Sequence, residues 1–490
     1  MSAIRHRAAS GFVWMFIGRA GQQGVSVLIS IVLARLLVPS DFGAVALVMA
    51  LIVILQVFAE MGVSVAIVQR KTLERATTDS AFALTFLCTA IISGSLIIGS
   101  GWIASFFKSP VLSPLIKIAA FSYVFRGIYA LYSCILLRDM RYKAVSVFGF
   151  LNNVVYGVVA VSLAFLGYGS FSLVYGQVAA SVVLLILGCL STGYVPRSLG
   201  NLSEMIGLLH FGVWVAAERV LGSASAKFDA FLVGKVLSMA SLGVYDVAQK
   251  LAMMFPSVMT GVLDQVMLPI YSKWQDEPQR IENGYWNALT ITSLISLPPV
   301  LMLYVFAGDL VKLTLGEKWL QVVPVLKIMT VFVMSNCLGG GIFGAVLMAS
   351  GKPKILVIVN AFRIVTLPIC IYIGSFWGLF GVAAGFSTYG LIGRLFNQLL
   401  LKHFMNYSTA RYLSSISLPV AVNVAVAVAA AWAYSTIPKG GSIYTIGVLI
   451  SLVLLWFILY AFVLMLIMPD RFSYIREIIK PLLGRRFATA

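Results

Sequence analysis

Residues 14–51 read WMFIGRAGQQGVSVLISIVLARLLVPSDFGAVALVMAL, and residues 214–251 read WVAAERVLGSASAKFDAFLVGKVLSMASLGVYDVAQKL. Laid side by side at an offset of 200 residues, they align without a gap. Trp14 meets Trp214, Arg19 meets Arg219, Arg35 meets Lys235, Gly43 meets Gly243 and Leu51 meets Leu251. Leucine matches arise easily in an apolar chain, whereas a tryptophan, an arginine and a glycine in one register do not. Each copy opens on an apolar run long enough to cross a bilayer as a helix. In the first copy, Pro39-Ser40-Asp41 stops that run and caps the next.

The rest of the chain continues the pattern. Of 490 residues, 60% are hydrophobic and 11% charged, and the mean hydropathy is +0.99. A soluble domain carries about 25% charged residues, so this composition excludes a soluble enzyme, a disordered chain and a disulfide scaffold. Fourteen apolar runs are long enough to span, at 10–38, 41–69, 80–107, 111–136, 144–167, 170–192, 207–234, 241–271, 284–312, 320–349, 354–378, 380–404, 412–434 and 442–468. The first is too long for a cleavable signal and contains Arg19. Six runs precede the second copy, so both copies enter the membrane from one side, as a parallel repeat does. The expected fold is an all-α membrane protein of about fourteen helices. Its parts are an N-terminal six-helix lobe (1–200), a C-terminal six-helix lobe (201–405), two added helices (406–470) and a basic tail (471–490).

The net charge of +18 is a topology signal and not a nucleic-acid footprint. With the N-terminus inside, twenty Lys and Arg fall at inner span ends and six at outer ones, which places both termini in the cytoplasm. The remaining nine lie within spans: Arg19, Lys117, Arg126, Arg219, Lys227, Lys250, Lys327, Arg363 and Arg394. A mid-span cation costs roughly 2.5–3.5 kcal/mol on insertion scales, so these residues should line a wet cavity or find partners. Polar neighbours at helical spacing favour a cavity: Gln23 and Ser26 after Arg19, Ser122 and Tyr129 around Arg126, and Gln398 after Arg394. Cations outnumber the carboxylates Glu60, Glu218, Asp229, Asp246 and Asp264, so an anionic substrate group fits. Arginine suits a phosphate because its planar fork donates two hydrogen bonds. The alternative is that the cations pair with Glu218, Asp229, Asp246 and lipid headgroups. Asp229 and Asp246, with Glu60, are candidates for ion coupling, or else partners of Lys227 and Lys250.

Other chemistry is not encoded. Five cysteines stand far apart within spans, and three histidines show no zinc spacing. No metal or cofactor is expected. Gly351-Lys352 lacks the upstream glycine of a phosphate-binding loop. Gly339, Gly341 and Gly344 spell a nucleotide fingerprint but sit inside a span, where close packing or a hinge is the better reading. No loop is large enough to house an extracytoplasmic enzyme.

Several stretches resemble a known family. Leu33-Ala34-Arg35-Leu36-Leu37-Val38-Pro39-Ser40-Asp41-Phe42-Gly43, Glu60-Met61-Gly62, Ile67-Val68-Gln69-Arg70-Lys71, Leu136-Leu137-Arg138-Asp139-Met140-Arg141-Tyr142, Lys227-Phe228-Asp229 and Gly316-Glu317-Lys318-Trp319 are similar to blocks of the Wzx-type lipid-linked oligosaccharide flippases, near the colanic acid exporter branch. The resemblance implies two six-helix lobes in a V, working by alternating access. It implies an undecaprenyl-diphosphate-linked repeat unit as substrate, turned from the cytoplasmic to the periplasmic leaflet of a bacterial inner membrane. Membrane lipids, a polysaccharide polymerase and a chain-length regulator are the implied partners. Joined to the cationic cavity, it makes Arg19, Arg126, Arg219, Lys227, Lys250, Arg363 and Arg394 the expected diphosphate contacts, and Gln23, Tyr129, Asn152, Asn153 and Tyr245 the expected sugar contacts. A cation-coupled multidrug antiporter of the same superfamily and a non-transporting scaffold of a polysaccharide synthase complex are the alternatives.

Overall fold

The computed structural model of the chain describes residues 21–60, 74–198, 200–254, 271, 274–352, 354–437 and 442–467. Nearly every described residue outside short turns is helical. The helices are α1 (Gly21–Leu36), α2 (Pro39–Glu60), α3 (Arg75–Phe106), α4 (Leu112–Arg138), α5 (Tyr142–Phe165), α6 (Ser170–Thr192), α7 (Leu202–Val236) and α8 (239–254). They continue as α9 (Pro278–Val305), α10 (Ala307–Thr314), α11 (Val322–Cys337), α12 (Gly340–Ala349), α13 (Lys354–Ser375), α14 (Gly378–Met405), α15 (Thr409–Thr436) and α16 (Ser442–Ile467). Each of the fourteen expected runs carries helix in its described residues. Ten described spans pass on length and apolarity, α11 with α12 counting as one. The 35-residue α7 carries Glu218, Arg219, Lys227 and Asp229 along its length. By contact the chain forms two compact units. One holds Met1–Lys250, Thr314–Val325 and Asn360–Phe386; the other holds Leu251–Leu313, Leu326–Val359 and Ser387–Ala490.

Within the first unit the 200-residue repeat is visible as a packing pattern. Leu33 and Val233 are buried, as are Ala44 and Val244, Val45 and Tyr245, and Val48 and Ala248. The two copies touch at their glycines. A Cβ on Gly43 would stand 1.8 Å from the Met239 carbonyl oxygen, and a Cβ on Gly243 would stand 1.8 Å from the Pro39 carbonyl oxygen. Residues 39 and 43 thus contact 239 and 243 reciprocally, which is what a two-fold relation between the copies requires. The turns ahead of α2 and α8 are capped differently. Asp41 accepts from the Val38 amide (3.2 Å) and also from the Ser170 amide at the start of α6 (3.1 Å). At the equivalent turn Ser238 Oγ accepts from the Ser241 amide (3.0 Å).

In the second unit, prolines inside helices decide which helices meet. Pro298 has no N–H for the Leu294 carbonyl one turn back, and Pro419 has none for Ser415. In a membrane such carbonyls need donors from neighbouring helices. Tyr460 on α16 donates to Leu294 (2.6 Å), and Thr290 on α9 donates to Ser415 (3.2 Å). Asn423, fully buried, bonds Tyr460 at 3.2 Å. These bonds hold α15 and α16 to α9, with Leu301, Phe306, Val422 and Trp456 packed around them. Removing the hydroxyl with Tyr460→Phe is expected to cost about 1–3 kcal/mol, the penalty of leaving a buried carbonyl unpaired. It should lower the apparent melting temperature of the purified protein in detergent. An unchanged melting temperature would show that the carbonyl finds another donor.

Candidate functional site

The first unit gathers polar side chains from five helices. On α7, Asp229 is 2% exposed. Its carboxylate accepts from Tyr245 (3.1 Å) and Gln249 (2.8 Å) on α8 and from the Ala230 amide (2.8 Å). Three donors offset the desolvation of a buried carboxylate. Asp246, also on α8, pairs with Lys250 one turn on at 2.6 Å, the intrahelical pair its spacing allows. The Tyr156 hydroxyl on α5 lies within electrostatic reach of Asp246. So Tyr245, an expected sugar contact, directs its hydroxyl at Asp229, and Lys250 extends its ammonium from Asp246 toward the surface.

The α4 stripe is present. Ser122 is fully buried and its hydroxyl has no hydrogen-bond partner among the described residues, while Arg126 and Tyr129 are half-buried beyond it. Facing helices are joined by amides: Asn153 on α5 donates to the Gln22 carbonyl on α1 (3.1 Å), and Gln22 donates to the Ser146 carbonyl (3.3 Å). Asn152 stands next to Asn153 at 3.5 Å, and Gln23 and Lys227 are half-buried. Arg363 on α13 is exposed. Arg19 lies outside the described residues, as do the side chains of Glu60 and Arg219.

In the second unit, Arg394 on α14 is half-buried where the span 320–349 breaks. Gly339 makes that break with φ +108°, and a Cβ there would lie 2.7 Å from Leu289 and 3.3 Å from the Arg394 guanidinium. Gly339 therefore serves close packing at a helix break, whereas a Cβ on Gly344 would meet nothing within 4 Å. The Tyr285 and Tyr412 hydroxyls are within electrostatic reach of Arg394. Gln398, one turn along α14, is 6% exposed, and neither amide atom has a partner among the described residues.

Sequence reasoning missed two clusters. Asp79, near the start of α3, accepts from Tyr194 (2.5 Å) and Ser198 (3.0 Å), and Ser80 accepts from the Asn201 amide (2.8 Å). These bonds clamp the segment 193–201 onto α3. Burial and the Asp79 carboxylate push the Tyr194 phenol far above its ordinary pKa. Asp79 stands just ahead of a span in the sequence, and nothing local links it to a tyrosine 115 positions away. In the second unit, Arg411 bonds Glu282 (3.1 Å) and Asn283 (2.7 Å), and Glu282 also accepts from Trp286 (2.9 Å).

Long apolar helices, an internal repeat and basic and acidic groups held inside the spans define a multi-pass membrane protein. The inward closed lipid II flippase MurJ superposes with a TM-score of 0.73 at 13% identity, covering 92% of this chain and 99% of that one. An inward-facing multidrug resistance MATE family transporter of the MOP superfamily follows at 0.62 and 16% identity, covering 79% and 96%. The fold is the one these two-lobed transporters share. The chain belongs to the polysaccharide biosynthesis protein family, which matches residues 32–324. It is similar to the lipopolysaccharide biosynthesis protein WzxC of Escherichia coli K12, with 23% identity over 433 residues and 85% of each chain covered.

Proposed function

We propose that the chain is a flippase that turns an undecaprenyl-diphosphate-linked oligosaccharide from the cytoplasmic to the periplasmic leaflet. The observation that carries the reading is a family of polysaccharide biosynthesis joined to a fold that matches a lipid II flippase over 99% of its length. The lobes are residues 1–200 and 201–405, rocking by alternating access, with 406–470 as added helices and 471–490 as a basic tail. The chain sits in a bacterial inner membrane with both termini in the cytoplasm, the orientation that the basic-residue count favours.

The diphosphate is held by cations within the spans. Arg126 and Arg394 are the described arginines that are neither exposed nor at a helix end, and Arg219 with Arg19 forms the repeat-related pair. Membrane potential opposes outward movement of an unneutralised site by about 2.3 kcal/mol per charge per 100 mV. A bound diphosphate removes that opposition, and the potential returns the empty site. Asp229 and Asp246 are the groups available for ion coupling.

The test is polymer export in a bacterium lacking its own exopolysaccharide flippase, or in the native host after deletion. Arg126→Ala, Arg219→Ala and Arg394→Ala are each expected to lower polymer output at least ten-fold at equal membrane abundance. The Lys variants should retain part of it, because charge survives but the bidentate fork does not. Normal export by all three Ala variants would sink the cationic site. The MATE likeness keeps a multidrug antiporter as the second reading, which predicts drug resistance without polymer.

A further inference from the structure

Three turns of the second unit meet in one cleft: the segment leading into α9, the turn between α12 and α13, and the turn between α14 and α15. The cleft encloses about 440 Å³, within the usual range of small-ligand sites. On the orientation proposed above it faces the cytoplasm.

Its lining is polar, and two of its groups lack partners. Tyr407 is 3% exposed, with its ring packed on Tyr285 and Trp286, each at 5.6 Å. Its hydroxyl is buried and bonds nothing among the described residues, and the same holds for Ser350 Oγ. A phenylalanine at 407 would fill the same ring packing without a stranded hydroxyl. The same cleft is lined by Gln275, Gln279, Glu282 and Lys352.

Charge decides what class of ligand fits. Lys352 spends one proton on the Phe404 carbonyl, and Arg411 is turned onto Glu282 and Asn283. With one lysine and one carboxylate, the lining has no surplus positive charge and no free guanidinium fork for a phosphate. Glu282 uses Oε1 for Trp286 and Arg411, which leaves Oε2 to accept. Carboxamides and hydroxyls both donate and accept. That mixture of groups beside the Phe404 and Tyr407 rings matches a polyhydroxylated ring.

We infer that this cleft is a sugar-binding site, and that it receives a sugar residue of the lipid-linked substrate at the cytoplasmic end of the second unit. The inference rests on the transport reading and extends it to where the headgroup is first recognised, apart from the cations that hold the diphosphate.

The test uses the full chain in membranes of its native host. The double variant Tyr407→Phe with Ser350→Ala is expected to lower polymer output at least three-fold while melting temperature and abundance hold or rise, because the hydroxyls removed make no bond among the described residues. In a second arm, Gln279→Cys, at an exposed position of the lining, is labelled with a water-soluble maleimide. Labelling should slow at least three-fold in membranes that contain lipid-linked sugars, relative to a host that lacks the first sugar transferase. Wild-type output from the double variant together with no protection overturns the inference and leaves the transport reading standing. Equal protection in both hosts also overturns it, since a protein segment or other occupant would then fill the cleft. Normal polymer after deletion of the gene overturns the transport reading itself, and with it the assignment of the sugar to a transported substrate.

Discussion

Replacing Gly43 with valine is expected to separate α2 from α8 and to lower the protein's abundance and melting temperature together. The reason is geometric. A Cβ at this position would lie 1.8 Å from the Met239 carbonyl oxygen and 2.8 Å from the Gly243 amide nitrogen. The obstacle is backbone, which cannot swing aside as a side chain does, so one helix must move by more than an ångström. Overpacking a buried contact costs about 1–3 kcal/mol, and a backbone obstacle puts this site at or beyond the upper end. The reciprocal contact at Gly243 predicts the same penalty there, and Gly43→Ala should already show much of it. Gly99 on α3 is the control, since a Cβ there meets nothing within 4 Å. Gly99→Ala should be neutral or stabilising by up to about 1 kcal/mol, from helix propensity alone. If Gly43→Val and Gly99→Ala melt alike, the α2–α8 contact is not the close seam described.

The second large effect is expected at Trp319. The segment Gly316-Glu317-Lys318-Trp319 inserts against the end of α1, and Trp319 is fully buried there. The carbonyls of Ala34 and Arg35 belong to the last turn of α1 and have no donor within the helix. Trp319 Nε1 donates to Ala34 (2.7 Å), and Lys318 Nζ donates to Arg35 (2.8 Å). Arg35 in turn donates to the Thr314 carbonyl at 2.8 Å. The Trp319 ring stands edge-on to Phe42 at 5.2 Å. Burial lowers the Lys318 ammonium below its ordinary pKa, yet a cation at a helix C-terminus remains favourable. Trp319→Ala removes a large buried ring and a helix-end donor, for an expected loss of about 3–5 kcal/mol. Trp319→Phe keeps most of the ring and should cost about 1–3 kcal/mol for the stranded carbonyl. Hydrogen exchange over residues 314–320 and the melting temperature in detergent check both variants. Equal behaviour of Trp319→Ala and wild type would show that the segment is held by other contacts.

The spans, the repeat and the class of protein were legible in the chain itself. A bilayer leaves few options, because an apolar run of about 20 residues must satisfy its backbone internally and so becomes a helix. That rule acts on neighbours in sequence, and so fourteen apolar runs could be marked without coordinates. The glycine match at 43 and 243 was equally legible as a match, but not as a contact. The candidate polar residues were legible only as a set. Composition and spacing placed Asn153, Tyr245 and Arg394 inside spans without separating their tasks. Folding separated them: Asn153 ties α5 to α1 across 131 positions, Tyr245 holds Asp229, and Arg394 lies against the Gly339 break. Likewise Pro298 leaves the Leu294 carbonyl free within its helix, and the donor that reaches it, Tyr460, stands 166 positions away. Hydrophobicity and helix length are local and can be read along the chain. Hydrogen-bond partners across helices are not, because only packing determines which donor reaches which buried acceptor.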